Sequence, residues 1–356
     1  MEEEMLALMH DDGEIDDDEF LVFHEANRHG NLHVGLPYWK YERFNLDGMR
    51  EDECEVEFRF KKQDIARLAA ALHLPDVFKC SNGVVVGPVE ALCVCLKRFA
   101  YPCRYADLIP RFGRSVPQLC MITNLVVSFL YDSFSDRLQN LNQPWLSPQH
   151  LKMYAQAIHN RGAALDNCWG FIDGTVRPIC RPKDNQREVY NGHKRVHALK
   201  FQSVVTPNGL IANLFGPVEG RRHDSGMLNM SGLLHDLEHH SFSPTGQALC
   251  LYGDPAYPHR VHLQCSFARR ADLTPEEEAF NQSMSQVRIS VEWVFGDIVN
   301  YFKFTDFKKD LKIGLSAVGK IYMVCALLRN GLTCLYGNNT SKFFDVDPPT
   351  IEEYFQ

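Results

Sequence analysis

Three acidic residues in the C-terminal half of the chain stand at positions suited to one shared site. Asp173 ends a short apolar run in the sequence FIDGT, Asp254 ends another in LYGDP, and Glu292 lies in the apolar helical sequence VEWVFG. If the two runs are neighbouring strands, both aspartates reach the same edge of a sheet. A helix packed on that sheet can then point Glu292 toward them.

Carboxylates gathered in this way are suited to hard divalent cations. Mg²⁺ prefers oxygen ligands and binds through a few carboxylates together with substrate phosphate. Two such ions about 4 Å apart stabilise the attacking and the leaving oxygen of an in-line displacement at phosphorus. Each residue alone also has an ordinary explanation, because Asp-Gly is common in turns and Glu292 could be a helix-surface acid.

The elements that must position these acids follow from periodicity and turn residues. Strands are predicted at residues 168–173, 198–205, 210–218 and 248–252, the middle two joined by the hairpin signal TPNG. Helices are predicted at residues 224–237, from Thr274 through Glu292, and at 313–328. This order favours a mixed sheet with helices on its faces.

The first half of the chain has helical periodicity instead. Helices are predicted at residues 61–74, 88–100, 115–138 and 148–162. A short helix near 105–109 before the one at Ser115 could form a helix-turn-helix, although the second helix is mostly apolar where a DNA-reading helix is polar and basic. The predicted organisation is an acidic, largely disordered tail and lead-in at 1–50, a helical domain at 51–162, a mixed-sheet domain at 163–335 and a C-terminal tail at 336–356.

The net charge of −8 hides an uneven distribution. Residues 1–20 contain ten acids and no Lys or Arg, and without them 37 basic residues face 35 acidic ones. Residues 177–222 contain nine basic and three acidic residues. An acidic tail therefore accompanies a basic segment that can contact nucleic acid.

The twelve cysteines form no CxxC pair and mostly lie in apolar stretches. This pattern predicts free thiols in a reducing compartment, the nucleus or the cytoplasm. No apolar run approaches the length of a membrane span, and no membrane partner is expected.

Five ordered motifs carry a family resemblance: FIDGT, YNGHKRVHALKFQSVVTPNGLI, GRRHDSGML, GDPAYP and VEWVFG. Together they resemble the nuclease domain of PIF/Harbinger transposases and of their domesticated relatives, the Harbinger transposase-derived nucleases. The resemblance covers roughly residues 165–335. It implies an α/β, RNase H-like mixed sheet flanked by helices and preceded by an all-α region.

The resemblance also implies a site. The catalytic triad falls on Asp173, Asp254 and Glu292, with Asp224 as a further metal ligand and Mg²⁺ or Mn²⁺ as the cofactor. Asp297 departs from the pattern, since relatives often carry a basic residue there. The expected partners are DNA, a Myb-like accessory protein and a second copy of this chain.

Basic side chains beside the acidic motifs are expected to contact the DNA backbone, which dominates affinity. The predicted DNA-binding residues are Arg177, Arg181, Lys183, Lys194, Arg195, Arg221, Arg222 and Arg288. The function predicted is a metal-dependent DNA endonuclease or transposase. A domesticated DNA-binding or chromatin adaptor without cleavage, and an enzyme acting on RNA–DNA hybrids, remain alternatives.

Overall fold

A computed structural model describes residues 36–267 and 273–356. Most of the predicted acidic tail and lead-in, residues 1–35, lies outside the described residues. A 3₁₀ turn at Tyr38–Lys40 begins the described chain.

A helical region precedes the sheet, as predicted. Its elements are α1 (Glu51–Phe58), α2 (Lys62–Ala71), β1 (Phe78–Lys79), β2 (Val85–Val86), α3 (Pro88–Ala100), α4 (Ile109–Phe112), α5 (Val116–Phe134) and α6 (Pro148–Asn160). Short 3₁₀ helices at Tyr105–Leu108, Ser135–Leu138 and Pro144–Leu146 connect them. The start of α5 is fixed by Ser115 and Gln118, which form the capping box that the sequence predicts.

In the segment predicted as a possible helix-turn-helix, two arginine side chains form ion pairs with other helices. Arg111 forms ion pairs with Glu53 and Glu57 of α1, and the Arg114 guanidinium donates to Glu90 of α3 at 2.8 Å. Helix α5 contains no Lys or Arg, and its buried stripe packs into the core. The arrangement favours helical packing over a DNA-reading role for α5.

The second half forms the sheet and its covering helices. The strands are β3 (Cys168–Pro178), β4 (Tyr190–Asn191), β5 (Val196–Val205), β6 (Ile211–Glu219), β7 (Cys250–Gly253) and β8 (Leu263–Cys265). The helices are α7 (Gln186–Val189), α8 (Asp224–Ser231), α9 (Leu233–His240), α10 (Pro275–Tyr301), α11 (Val318–Tyr336), α12 (Asn339–Phe344) and α13 (Ile351–Phe355), with a 3₁₀ turn at Lys303–Asp306.

The six strands form one mixed sheet. Five of them follow the order β4-β5-β3-β7-β8, and the sixth, β6, pairs with β5. Strand β3 pairs antiparallel with β5 and parallel with β7, which in turn pairs parallel with β8. This confirms the predicted RNase H-like architecture of a mixed sheet flanked by helices and preceded by a helical region. The parallel pairing of β3 with β7 ends at Phe171 and Tyr252, and β3 continues beyond this point while paired with β5 alone.

Several boundaries differ from the predictions for identifiable reasons. Strand β3 runs five residues past Asp173 because it stays paired with β5 as far as Pro178. The predicted helix at 224–237 is broken at Gly232, which has φ 69° in the left-handed region. Strand β8, three residues long, was missed, and α11 lies five to eight residues later than predicted.

Two long helices cover the sheet region. Helix α10 is continuous over 27 residues and begins where predicted, with the Thr274 side chain accepting a hydrogen bond from the Glu277 amide. Helix α11 is long and apolar enough to cross a membrane by composition, but 78% of it is buried inside the protein, as in a core helix. The predicted C-terminal tail contains α12 and α13, and Ile351, Tyr354 and Phe355 of α13 are buried.

Candidate functional site

The parallel register of β3 and β7 brings Asp173 and Asp254 to one sheet edge. Phe171 pairs with Tyr252, so each aspartate lies two residues beyond the last paired position of the two strands. Asp254 directly follows β7, whereas β3 continues past Asp173 to Pro178. Neighbouring strands run about 4.8 Å apart, which keeps the two carboxylates in mutual electrostatic range. Besides burial, which is the main cause, the negative charge of Asp254 raises the pKa of Asp173.

Asp173 is largely withdrawn from solvent. One of its carboxylate oxygens accepts a hydrogen bond from the Gly174 amide at 2.8 Å, and the other lies 3.3 Å from the Arg288 guanidinium. Burial raises the pKa of Asp173 to about 6, against the opposing effects of Arg288 and the Gly174 amide. The site thus holds a carboxyl group that is costly to ionise without a nearby cation.

Asp224 approaches these two aspartates from the first turn of α8. Its Oδ1 receives a 2.7 Å ion pair from Lys200, which is 6% exposed. A Cβ atom on Gly174 would lie 2.4 Å from that same oxygen, so the Asp224 carboxylate packs directly against the β3 backbone. Only glycine leaves room for this close approach.

Asp254 is partly buried beside Asp224. Its Oδ1 accepts a hydrogen bond from the Ala256 amide at 3.0 Å. Burial raises the pKa of Asp254, and the charge of Asp224 adds to the increase while Arg288 and Lys200 oppose it. Three carboxylates from three different elements therefore share one electrostatic environment.

Tyr257 is a further residue of the site that the sequence predictions did not single out, although it lies in the GDPAYP motif. It is 2% exposed, and its hydroxyl is buried without a hydrogen-bond partner in the described part of the chain. Burial raises the pKa of Tyr257, and the charges of the three aspartates raise it further. A buried hydroxyl of this kind is usually satisfied by water or by a bound group.

Glu292 reaches the site region from α10. It lines a groove of about 510 Å³ together with Asp173, Lys194 and the residues of β3 as far as Pro178. Glu292 is exposed, one helical turn after Arg288, which lies against Asp173. Among residues 36–267 and 273–356, no three His, Cys, Asp or Glu side chains are close enough together to hold a metal ion.

The donor set nevertheless fits a hard divalent cation. Oxygen ligands are supplied by carboxylates whose ionisation is opposed by burial and by one another, and a cation would relieve both penalties. Arg288 supplies part of that positive charge in this conformation. Glu292 lines the same groove as Asp173.

The predicted DNA-binding residues divide into two groups. Five have exposed side chains around the basic segment: Arg181, Lys183, Lys194, Arg195 and Arg221. Lys194 lines the groove beside Asp173, while Arg221 forms an ion pair with Glu188 and Arg181 donates to Gln186 at 2.9 Å.

The other three are more enclosed. Arg177 donates to Thr175 at 2.8 Å and stacks over the Tyr322 ring of α11 at 5.0 Å, which points its guanidinium away from the surface. Arg222 lies 3.3 Å from Glu219, and Arg288 lies against Asp173. Asp297, the departure from the family pattern, pairs at 2.6 Å with Arg329, which is 2% exposed.

Comparison with known proteins shows which protein family the second half of the chain resembles. Residues 172–330 match the family model of the DDE superfamily endonucleases. No curated protein and no solved structure gives a significant match. DDE-type endonucleases act on DNA and generally use divalent metals. The matched segment contains Asp173, Asp224, Asp254 and Glu292, so this part of the chain is similar to the DDE superfamily endonucleases.

Proposed function

We propose that this protein is a divalent-metal-dependent DNA endonuclease of the PIF/Harbinger type. The observation that carries the proposal is that Asp173, Asp224 and Asp254 share one electrostatic environment where the parallel pairing of β3 and β7 ends. These residues lie inside the segment that matches the DDE endonucleases. Glu292, on the helix that lines the same groove, completes the proposed set of ligands.

Mg²⁺ or Mn²⁺ would be held by Asp173 and Asp254, with Asp224 and Glu292 as further ligands, and when bound would stabilise charge at the scissile phosphate. Arg288 and Lys194 flank the groove and are positioned to bind phosphate oxygens of the substrate. Lys200 neutralises one oxygen of Asp224 and fixes the orientation of that carboxylate. Cleavage would hydrolyse a phosphodiester bond, and a DNA 3′-hydroxyl in place of water would give strand transfer.

The test uses the purified full chain with supercoiled plasmid and short duplexes. We expect nicking with Mg²⁺ or Mn²⁺ and none in EDTA. Asp173→Asn, Asp254→Asn and Glu292→Gln should each reduce the rate by more than about 100-fold, beyond the effect typical of residues that only support a ligand. Glu238→Gln, which removes an exposed acid on α9, is the matched control and should cleave like the wild type.

Two alternatives give different results in the same experiment. A DNA-binding or chromatin adaptor would bind duplex DNA with an affinity unaffected by metal or by Asp254→Asn, and would not nick it. The Arg288–Asp173 ion pair is the observation that favours this second candidate, because the guanidinium stands where a cation would bind. An RNase H-type enzyme would instead prefer an RNA–DNA hybrid over duplex DNA in direct competition.

The family resemblance adds proposals about the cellular context. We propose a Myb-like accessory protein that supplies sequence-specific DNA binding and entry into the nucleus. Expression of the chain with and without such a partner should move it between cytoplasm and nucleus. Size-exclusion chromatography with light scattering would test self-association.

A further inference from the structure

The proposed site does not include a lysine-rich segment that lies between the long helices α10 and α11. Residues 307–316, FKKDLKIGLS, are called here the lysine loop. Lys308, Lys309 and Lys312 are all exposed in it. The loop was not part of the predicted DNA-binding set, because its lysines lie more than 80 residues after the basic segment at 177–222.

The single acid of the lysine loop is turned inward. The Asp310 carboxylate lies 3.6 Å from the Arg98 guanidinium of α3. Arg98 is itself enclosed between the Tyr105 ring at 4.6 Å and the Phe304 ring at 4.3 Å. Because Asp310 is neutralised there, the outer surface of the loop presents three positive charges without a compensating negative one of its own.

The loop is an anchored turn with an apolar tip. Leu311 is 2% exposed and ties the base to the core. The Leu315 and Ser316 amides both donate to the Lys312 carbonyl, at 3.1 and 3.0 Å, and Gly314 takes φ 88° to close the turn. The turn leaves Leu315 83% exposed. Ile313, on the same turn, is 47% exposed, so the tip of the basic turn carries two apolar side chains.

A backbone hydrogen bond joins the lysine loop to the segment that directly follows β3, the strand that carries Asp173. The Cys180 amide donates to the Leu311 carbonyl at 3.0 Å. The groove beside the site follows β3 from Asp173 to Pro178, two residues short of this junction. The extended backbone from Asp173 to Cys180 spans at most about 23 Å, which is the length of about seven base pairs of duplex. Arg181 and Lys183 are exposed just beyond it.

We propose that the lysine loop is a second phosphate-binding surface, which holds the DNA duplex about seven base pairs from the bond that is cut. The loop lysines would bind the backbone where the duplex leaves the groove along β3, and Leu315 would contact its sugar edge. The inference rests on the proposed function for the position of the cut. Lys194 lines the groove beside β3, and Arg181 and Lys183 are exposed just after the hydrogen bond between Cys180 and the loop. Basic side chains at both ends of this segment favour a long polyanion over a membrane surface.

The test measures duplex binding in EDTA, where no cleavage occurs, by fluorescence anisotropy over a range of salt concentrations. The variant is Lys308→Ala/Lys309→Ala/Lys312→Ala. Its control, Lys40→Ala/Lys79→Ala/Lys152→Ala, has the same net charge but changes lysines of the helical region. We expect the loop variant to bind at least tenfold more weakly than the control. Its slope of log affinity against log salt should be lower by about 2 to 3, since each lost phosphate contact removes about 0.9.

Duplex length gives a second readout. With active protein and Mn²⁺, duplexes extending at least ten base pairs on each side of a mapped cut should be cut more slowly by the loop variant than by the control. When the arms are shortened to four base pairs, the two variants should cut equally, because the duplex no longer reaches the loop. Leu315→Ser should weaken binding to long duplexes by a smaller factor, with an unchanged salt slope.

The outcomes separate the two proposals. Equal binding and equal salt slopes for loop variant and control would overturn the inference, whether or not the protein cleaves DNA. If the loop variant loses binding to anionic phospholipid vesicles but keeps its DNA binding, the inference is also overturned and the loop is a membrane-binding surface. If the wild type never cleaves DNA and the loop variant loses DNA binding, the proposed nuclease function is contradicted and the loop remains a DNA-binding surface.

Discussion

At the scale of single residues, Asp173 combines burial with negative charge. Its side chain is 20% exposed, and the Arg288 guanidinium offsets only part of the cost of ionising it. A group whose pKa is raised by folding stabilises the folded protein at low pH and loses that contribution as pH rises through its folded pKa. For Asp173 the window runs from 3.8, its ordinary value, to about 6.

In EDTA, the wild type should therefore lose stability as the pH rises through this window, and Asp173→Asn should not show this loss. The difference between the two pKa values corresponds to about 3 kcal/mol, an upper estimate for a site that water partly reaches. We expect the free energy of unfolding of the wild type to fall by that amount relative to the variant between pH 4 and pH 7.5, as measured by urea denaturation. Parallel curves for the two proteins across this range would contradict a raised pKa.

Arg288 is expected to compete with the metal for Asp173. In Arg288→Gln the carboxylate loses its ion pair, so Mn²⁺ should bind about fivefold more tightly, equivalent to about 1 kcal/mol. Isothermal titration calorimetry at pH 8 measures this directly. Lys194→Gln removes an equal charge from the same groove without touching Asp173, and should change Mn²⁺ affinity less than twofold. Unchanged or weaker Mn²⁺ binding in Arg288→Gln would contradict the competition.

At the scale of elements, local signals predicted most of what builds the site. The turn sequence TPNG gave the β5–β6 hairpin, the capping box at Thr274 gave the start of α10, and the apolar runs ending in Asp173 and Asp254 gave β3 and β7. Features that depend on distant partners were not predictable. The extension of β3 requires its pairing with β5, and the inward turn of Arg177 requires the Tyr322 ring of α11.

Gly174 is the position where one strand and one helix must approach most closely for the site to form. In Gly174→Ala the new methyl group would force the Asp224 carboxylate to move, because the Cβ would lie 2.4 Å from its Oδ1. We expect a loss of cleavage of at least tenfold and a destabilisation of about 1 to 3 kcal/mol, typical of a steric clash in a packed site.

The matched control is Gly87→Ala, because a Cβ at Gly87 meets no atom within 4 Å. It should keep both activity and stability within about 0.5 kcal/mol of the wild type. Full activity in Gly174→Ala would show that Asp224 does not have to stay against β3.

At the scale of the whole molecule, the helical region and the sheet share one hydrophobic core. Charged contacts reinforce the junction: Arg98 of α3 reaches the lysine loop at Asp310, and Arg59 after α1 donates to the Tyr301 carbonyl at the end of α10. The Asp297–Arg329 pair holds α10 against α11. The orientation of α10, and with it the position of Glu292, therefore depends on elements far from the site in sequence.

The position of Glu292 is the feature of the site that the sequence could least define. Its apolar neighbours predicted a helix facing the sheet, and Val291, Val294 and Phe295 are indeed buried. They could not determine which rotamer Glu292 takes or that Arg288 would lie against Asp173. The rotamer of Glu292 and the contact of Arg288 with Asp173 both depend on the positive charge near Asp173, which metal binding would change.

The proposed function requires Asp173, Asp254 and Glu292 to hold one divalent-metal centre. Anomalous diffraction from crystals of the full chain soaked in Mn²⁺ would locate the ions. We expect Mn²⁺ about 2.1 Å from oxygens of both aspartates, with Glu292 turned into the groove and the Arg288 guanidinium displaced from Asp173. Crystals with Mn²⁺ bound only at other residues, or with no ion at Asp173 and Asp254, would contradict it.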